Sequence, residues 1–364
     1  MKIALVHDYL NQYGGAERVL EVFMEMFPDA PVYTLIANLS KMPERFKEAD
    51  IRTSFIQSIP FSKNHYKKML GLFPIAVEQM DLRNYDLVLS SSSAFVKGVL
   101  TTPSQIHVCY CHTPMRYVWD LYHQYMQEIT NPVFSRVLPY ILHKVRIWDQ
   151  VSSQRPDYYI SNSHNVSKRI QKYYNRNSHV IHPPVSFSQT GLLGESEDFY
   201  LIVSRLLPYK RIDLVIETFN QLEWPLVIIG DGYDRQRLER LAGPTVKMLG
   251  YQSDAVIHEH YSKCKAFILA GEEDFGITPL EAQAHGKPVI AFGKGGALET
   301  VKDGVTGVFF DEQTVESLIQ ALNRLQNLNL NPAAIRDHAD SFNENRFKKQ
   351  IMDFIHDALS AKSR

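Results

Sequence analysis

The sequence predicts an α/β chain of two domains, each built on a parallel sheet. Three observations predict it. Short apolar runs of strand length alternate with stretches of helical periodicity along all 364 residues, the pattern of parallel strands joined by crossover helices. Two such runs, residues 2–7 and 199–204, each open a series of this kind. Between the two series, residues 186–198 are polar, glycine-containing and aperiodic, and read as a linker. A chain of this length has room for two separate cores.

Composition narrows the function classes. A net charge of −1 gives no electrostatic footprint for a nucleic-acid binder. No apolar run reaches the ~18 residues of a membrane span. The opening residues, Met1-Lys-Ile-Ala-Leu-Val-His7, lack the length of a signal peptide. The three cysteines, Cys109, Cys111 and Cys264, have no metal-binding or redox spacing. Cys109 and Cys111 flank Tyr110 in a strand and so face one side, as buried thiols in a reducing cytoplasm would. The expected location is cytoplasmic.

In the first series, residues 2–7 form a strand, residues 8–15 a loop, and residues 16–27 a helix with Val19, Leu20, Phe23 and Met24 on one face. A first strand leading through Gly14-Gly15 into a helix is how a nucleotide-binding α/β domain opens, although a plain tight turn uses the same pair. Further strands are expected at 32–35, 87–90, 106–111 and 158–161. A helix over 163–174 has Ser163 as its N-cap, and Pro183-Pro184 stops regular structure. His112 directly follows the 106–111 strand, at the end where open α/β sheets bind ligands. A histidine that merely satisfies a strand end is the alternative. Residues 61–76 interleave Lys63, Lys67 and Lys68 with Tyr66, Met69, Leu70, Leu72 and Phe73, and residues 133–151 carry Arg136, Lys144 and Arg146 along a long helical pattern. Both segments suit an anionic membrane surface, and both equally suit a solvated face over a core stripe.

In the second series, the 199–204 strand runs into Arg205-Leu-Leu-Pro-Tyr-Lys210-Arg211. Cations at the C-terminal end of a strand suit a diphosphate, with arginine as a planar fork and lysine as a point charge. Two solvated loop cations would look the same. Strand 226–229 leads into Gly230-Asp231-Gly232, and strand 246–249 into Gly250-Tyr251. On the 254–263 helix, His258 and His260 are two apart and face different ways, so they make no two-ligand metal site. Strand 266–270 is followed by Glu273, Gly276 and a helix with Thr278 as N-cap, Pro279 first and Glu281 third. Strand, glycine loop and helix N-terminus together hold phosphate, because free amides and the helix dipole point the same way. Thr278 and Glu281 also have the spacing of a capping box, but that does not account for Glu273 or Gly276. Strand 288–292 ends in Gly293-Lys-Gly-Gly296, and residues 343–361 form the last helix.

Glu273 and Glu281, with Phe275-Gly-Ile-Thr-Pro-Leu280 between them, resemble the signature of the retaining glycosyltransferase family 4, whose members have the GT-B fold. Arg205 and Lys210, after the first strand of the second series, and Gly14-Gly15-Ala16-Glu17 match the same family. The resemblance implies two Rossmann-like domains facing a deep interdomain cleft. Residues 1–188 would be the acceptor side, with helix 343–364 crossing back to it, and residues 198–342 would bind the nucleotide sugar. It implies transfer of a hexose, with retention, from a nucleoside-diphosphate sugar to a hydroxyl of a saccharide or lipid-linked saccharide. UDP-glucose is favoured over GDP-mannose as donor, and bacterial envelope polysaccharide synthesis as the setting, on the inner face of the plasma membrane. By the same resemblance Arg205 and Lys210 neutralise the leaving pyrophosphate, helped by backbone at Gly276, Ile277 and Thr278. Glu281 holds the ribose, and Tyr251 lies where the base is held, with Gly230, Gly14 and Gly15 also in the donor site. Glu273 and His112 attend the sugar near the reacting centre. No Asp-x-Asp motif is present, so no metal and no further cofactor are expected. One departure stands out: His182-Pro-Pro-Val-Ser186 replaces the Pro-Asn-Gly-Val-Asp of many members. A sugar-nucleotide epimerase of the same fold and a non-catalytic binding subunit are the rival readings.

Overall fold

The computed structural model describes residues 1–60, 66–127, 129, 131–185 and 196–362, with the side chains of 66–68 and 132–134 set aside. The chain divides into two compact units, Met1–His182 with Lys348–Arg364, and Pro183–Phe347. Residues 186–195 of the expected linker, and residues 61–65 of the basic segment, lie outside the described residues.

The first unit has a seven-stranded sheet in the order β3-β2-β1-β4-β5-β6-β7, parallel throughout. Its strands are β1 Ile3–Leu10, β2 Val32–Ala37, β3 Ile51–Thr53, β4 Leu87–Ser92, β5 Ile106–Cys111, β6 Tyr158–Ser161 and β7 His179–Val180. Every residue of β4 and β5 is buried, as expected of central parallel strands covered on both faces. Cys109 and Cys111 pack with Tyr159, Val166 and Ile170 on one face. On the other, Ala4, Val6 and Val88 meet the long helix Pro132–Ser152 through Leu138, Leu142 and Val145. Helix His164–Tyr174 starts where Ser163 caps it, its side chain accepting from the Val166 amide. In the terminal helix Glu344–Lys362, Lys348 pairs with Glu25 at 2.7 Å.

The second unit has a six-stranded parallel sheet in the order β10-β9-β8-β11-β12-β13. The strands are β8 Tyr200–Val203, β9 Leu226–Ile229, β10 Val246–Gly250, β11 Ala266–Leu269, β12 Val289–Phe292 and β13 Gly307–Phe310. Apolar clusters cover both faces, one around Ile202, Phe219 and Ile268, the other around Leu201, Tyr261 and Phe267.

Two expectations need correction. Strand β1 runs on to Leu10 rather than stopping at residue 7. Asp8 looks like a loop residue, but it is buried and finds hydrogen-bond partners inside the fold. The helix expected to start at Thr278 is Ile277–Ala284, capped by Gly276. Gly276 has φ +89°, which glycine adopts without penalty, so the helix begins earlier. Pro279 is then its third residue, where its missing N–H is one of the unpaired donors of the first turn.

Candidate functional site

In the second sheet the chain starts at β8, builds outward to β9 and β10, then returns to the other side of β8 with β11. The point of reversal lies between β8 and β11. Open α/β sheets bind ligands there, outside the C-terminal ends of the strands. Arg205 and Lys210 follow β8, Gly230 follows β9, Tyr251 follows β10, and Glu273, Gly276, Ile277, Thr278 and Glu281 follow β11. Four adjacent strands thus deliver all the sequence-predicted residues of this unit to one rim.

Backbone contact holds the rim together. Gly230, at φ +134°, lies so close to Ser204 that an added Cβ would sit 1.9 Å from its carbonyl oxygen. A Cβ on Gly271 would stand 2.8 Å from the Cα of Lys210, so the β11 loop lies directly on the β8 loop. Gln313 adds a polar tie: its Nε2 donates to the Ala270 carbonyl at 2.8 Å, and its Oε1 accepts from Arg211 at 3.3 Å. The Glu273 carbonyl accepts from the Gly296 amide at 2.8 Å, joining in the glycine turn after β12.

The charges are arranged unevenly. Lys210 donates to a Glu273 carboxylate oxygen in an ion pair across the two loops, with side chains only 11% and 20% exposed. Burial is the largest single influence and pushes the lysine down, but the charge and hydrogen bond of Glu273, together with the charge of Tyr209, more than offset it, and Lys210 is held above its ordinary value. Arg205 is exposed and near enough for its charge to act against that of Lys210. Tyr251 is 82% exposed beside Gly250. Glu281 is buried, and its Oε2 accepts from the Tyr261 hydroxyl at 3.0 Å. It is the fifth residue of its helix and closes no capping box. The rim offers an exposed guanidinium, a lysine paired with one carboxylate among the described residues, and a helix start at Ile277.

The first sheet also reverses, between β1 and β4. Gly14 caps helix Gly15–Met26, and its amide donates to Glu17 Oε2 at 2.9 Å. His112, just after β5, is half-buried, with Nε2 2.8 Å from Ser91 Oγ. Desolvation, then the neighbouring His7, push His112 down to about 3, so it is neutral at physiological pH. Sequence reasoning passed over His7, Asp8 and Ser91 behind it. His7 Nδ1 lies 3.0 Å from Ser91 Oγ, and His7 Nε2 lies 3.5 Å from Glu17 Oε1. Asp8 accepts from the amides of Ser93, Ala94, Phe95 and Val96 at 2.6 to 3.0 Å. Four consecutive serines, Ser90 to Ser93, at the end of an apolar strand were the visible signal.

Comparison with known proteins follows the division of the chain. The model described as Glycosyltransferase Family 4 matches residues 13–189, and that of Glycosyl transferases group 1 matches residues 187–349. An uncharacterized glycosyltransferase of Methanocaldococcus jannaschii is 25% identical over 339 residues, 90% of this chain and 89% of that protein. The lipopolysaccharide 1,2-N-acetylglucosaminetransferase of Salmonella typhimurium is 32% identical over 152 residues, 36% of this chain and 40% of that protein. The crystal structure of Anabaena HepE in complex with UDP-glucose matches with a TM-score of 0.68 at 17% identity, covering 98% of this chain and all of that one. That likeness concerns the fold, which is GT-B: two Rossmann-like domains with parallel sheets.

Proposed function

The chain belongs to glycosyltransferase family 4, and from that premise we propose that it moves a hexose from a UDP-sugar, UDP-glucose foremost, to a hydroxyl of a saccharide or lipid-linked saccharide, with retention at the anomeric carbon. The observation that carries this is the Lys210–Glu273 pair beside exposed Arg205 at the sheet reversal. Departure of a nucleoside diphosphate builds negative charge, and cations already in place lower that barrier without reorganisation. Arg205 and Lys210 supply this charge, which leaves no step needing a metal. As the phosphates take Lys210, Glu273 turns to the sugar hydroxyls and to the positive charge developing at the ring. Glu281, already buried and oriented by Tyr261, holds the ribose. Neutral His112 suits a sugar hydroxyl rather than a phosphate.

The captured UDP-glucose of HepE supports the choice of donor. The Salmonella lipopolysaccharide enzyme supports an envelope polysaccharide as the setting. Thermal melting against UDP, GDP, ADP and their hexose conjugates tests the donor, since a ligand of the native state raises the melting point. UDP should give the largest shift. Arg205→Ala and Glu281→Gln should each weaken UDP by about tenfold. Near wild-type transfer by both Glu273→Ala and Lys210→Ala, on folded protein, would sink the site assignment. Isomerised sugar from donor alone would favour an epimerase.

We also propose that the protein works on an anionic membrane surface. No helix among the described residues is long and apolar enough to cross a membrane. Helix Pro132–Ser152 instead turns Val137, Tyr140, Ile147 and Val151 outward, 50%, 64%, 47% and 59% exposed, beside exposed Arg136 and Lys144. Its one acidic residue, Asp149, is buried on the other face and paired with Lys97. An outward face of apolar, aromatic and basic residues without a carboxylate complements anionic lipid. The protein should sediment with phosphatidylglycerol vesicles, and Ile147→Glu with Val151→Glu should abolish this. A wild-type dimer that the same change splits would make the face a subunit interface and overturn the reading.

A further inference from the structure

The chain Glu17, His7, Ser91, His112, buried up to its half-buried last member, runs through β1, β4 and the end of β5 at the sheet reversal of the first unit. We infer that this chain fixes the proton of His112 on Nε2, so that Nδ1 presents a bare lone pair that can accept a hydrogen bond from a ligand hydroxyl. The inference deepens the transferase reading and rests on it for the identity of that hydroxyl.

The direction follows from counting donors. The Glu17 carboxylate only accepts. Its Oε2 takes the Gly14 amide at 2.9 Å, and its Oε1 faces His7 Nε2 at 3.5 Å, so that nitrogen carries the His7 proton. His7 Nδ1 is then an acceptor, and the Ser91 hydroxyl, 3.0 Å away, must donate to it. A hydroxyl has a single proton. Ser91 therefore meets His112 Nε2, at 2.8 Å, with a lone pair and takes the proton of that nitrogen. With both rings neutral, no other placement makes all three contacts complementary. A ring's tautomer is set by the bond its other nitrogen makes. Here His7, Ser91 and Glu17 are 2%, 1% and 6% exposed, so water does not compete for the chain. The same carboxylate holds the Gly14 amide, so the glycine loop and the proton on His112 answer to one residue.

Glu17, His7 and Ser91 are positioning residues. Glu17→Gln is the sharpest test. Its amide oxygen would keep the Gly14 N–H and its NH2 would face His7 Nε2. That moves the His7 proton to Nδ1, turns the Ser91 hydroxyl toward His112, and puts the His112 proton on Nδ1. Long-range proton–nitrogen spectra of histidine-labelled protein read this directly. The expected result is Nε2–H at His112 in the wild type and Nδ1–H in Glu17→Gln. Nδ1–H in the wild type, or the same tautomer in both, overturns the inference. In turnover, Ser91→Ala should lower kcat about five- to tenfold, the worth of one hydrogen bond, with the donor KM nearly unchanged, and Ser91→Thr should restore it. Unchanged kcat in a folded Ser91→Ala also overturns it. The wild-type spectrum decides even if that variant does not fold. A wild type that no nucleotide stabilises would instead break the transferase reading, which the spectra do not touch.

Discussion

The rims at the two sheet reversals use charge in opposite ways. In the first unit the Asp8 carboxylate is 1% exposed and spends its acceptors on four backbone amides of the turn after β4. The groups beside it, His7, Ser91 and His112, bond to one another. In the second unit Arg205 lies open, Lys210 is held by one carboxylate, and Tyr251 stands in solvent. A charge saturated by the backbone holds the fold and is closed to ligands. A charge balanced by one counter-ion can exchange that partner for a phosphate. The same topology thus supports an orienting surface in one unit and an anion site in the other.

The largest effect that could break this comparison is on stability. Asp8→Ala would leave four amides, three of them buried, without their acceptor, at a cost of about 3–5 kcal/mol. Arg205→Ala removes an exposed cation and should change stability by no more than about 0.5 kcal/mol. Urea unfolding of both variants measures the contrast. Equal losses, or a loss under about 1 kcal/mol for Asp8→Ala, would mean that the first rim is no more structural than the second.

How much of this was legible depends on where the physics is local. Strands β5 and β9 and helix Asp254–Lys263 fall at the residues their apolar runs and periodicity mark out. The edge strands β3 and β7, three and two residues long, are too short for a period to show and owe their existence to the neighbouring strand. At Gly276 the local signals misled. Thr278 and Pro279 have the right chemistry to start a helix, but the left-handed backbone of Gly276 is imposed by the loop around it. In the site, Lys210 and Glu273 were recognisable as residue types in a family pattern, whereas their pairing over 63 positions was not. The Glu17 to His112 chain was hidden for the same reason: Ser91 meets His7 across 84 positions. Only folding makes those residues neighbours.

The smallest expected effect would sharpen the contrast from the alkaline side. Lys210 sits above its ordinary value because the charge and hydrogen bond of Glu273, with the charge of Tyr209, together outweigh its burial. An unfolded lysine titrates near about 10.4. A raised folded value contributes stability that is complete below the unfolded value and lost as pH rises through the folded one. In Glu273→Gln burial, with the charge of Arg205 beside it, outweighs what Tyr209 contributes, so Lys210 falls below its ordinary value, and that variant is relieved of a buried charge as pH rises. The wild type should therefore melt higher by a constant margin, worth about 1 kcal/mol, from pH ~7 to ~9, and the margin should shrink above about pH 10. Circular-dichroism melts across that range measure it. A margin that widened with pH would reverse the sign and detach Lys210 from Glu273. Saturating UDP should also reduce the margin at neutral pH, because the phosphates then supply the counter-charge that Glu273 provides in their absence, and a margin indifferent to UDP would show that Lys210 keeps its carboxylate and leaves the anion to Arg205.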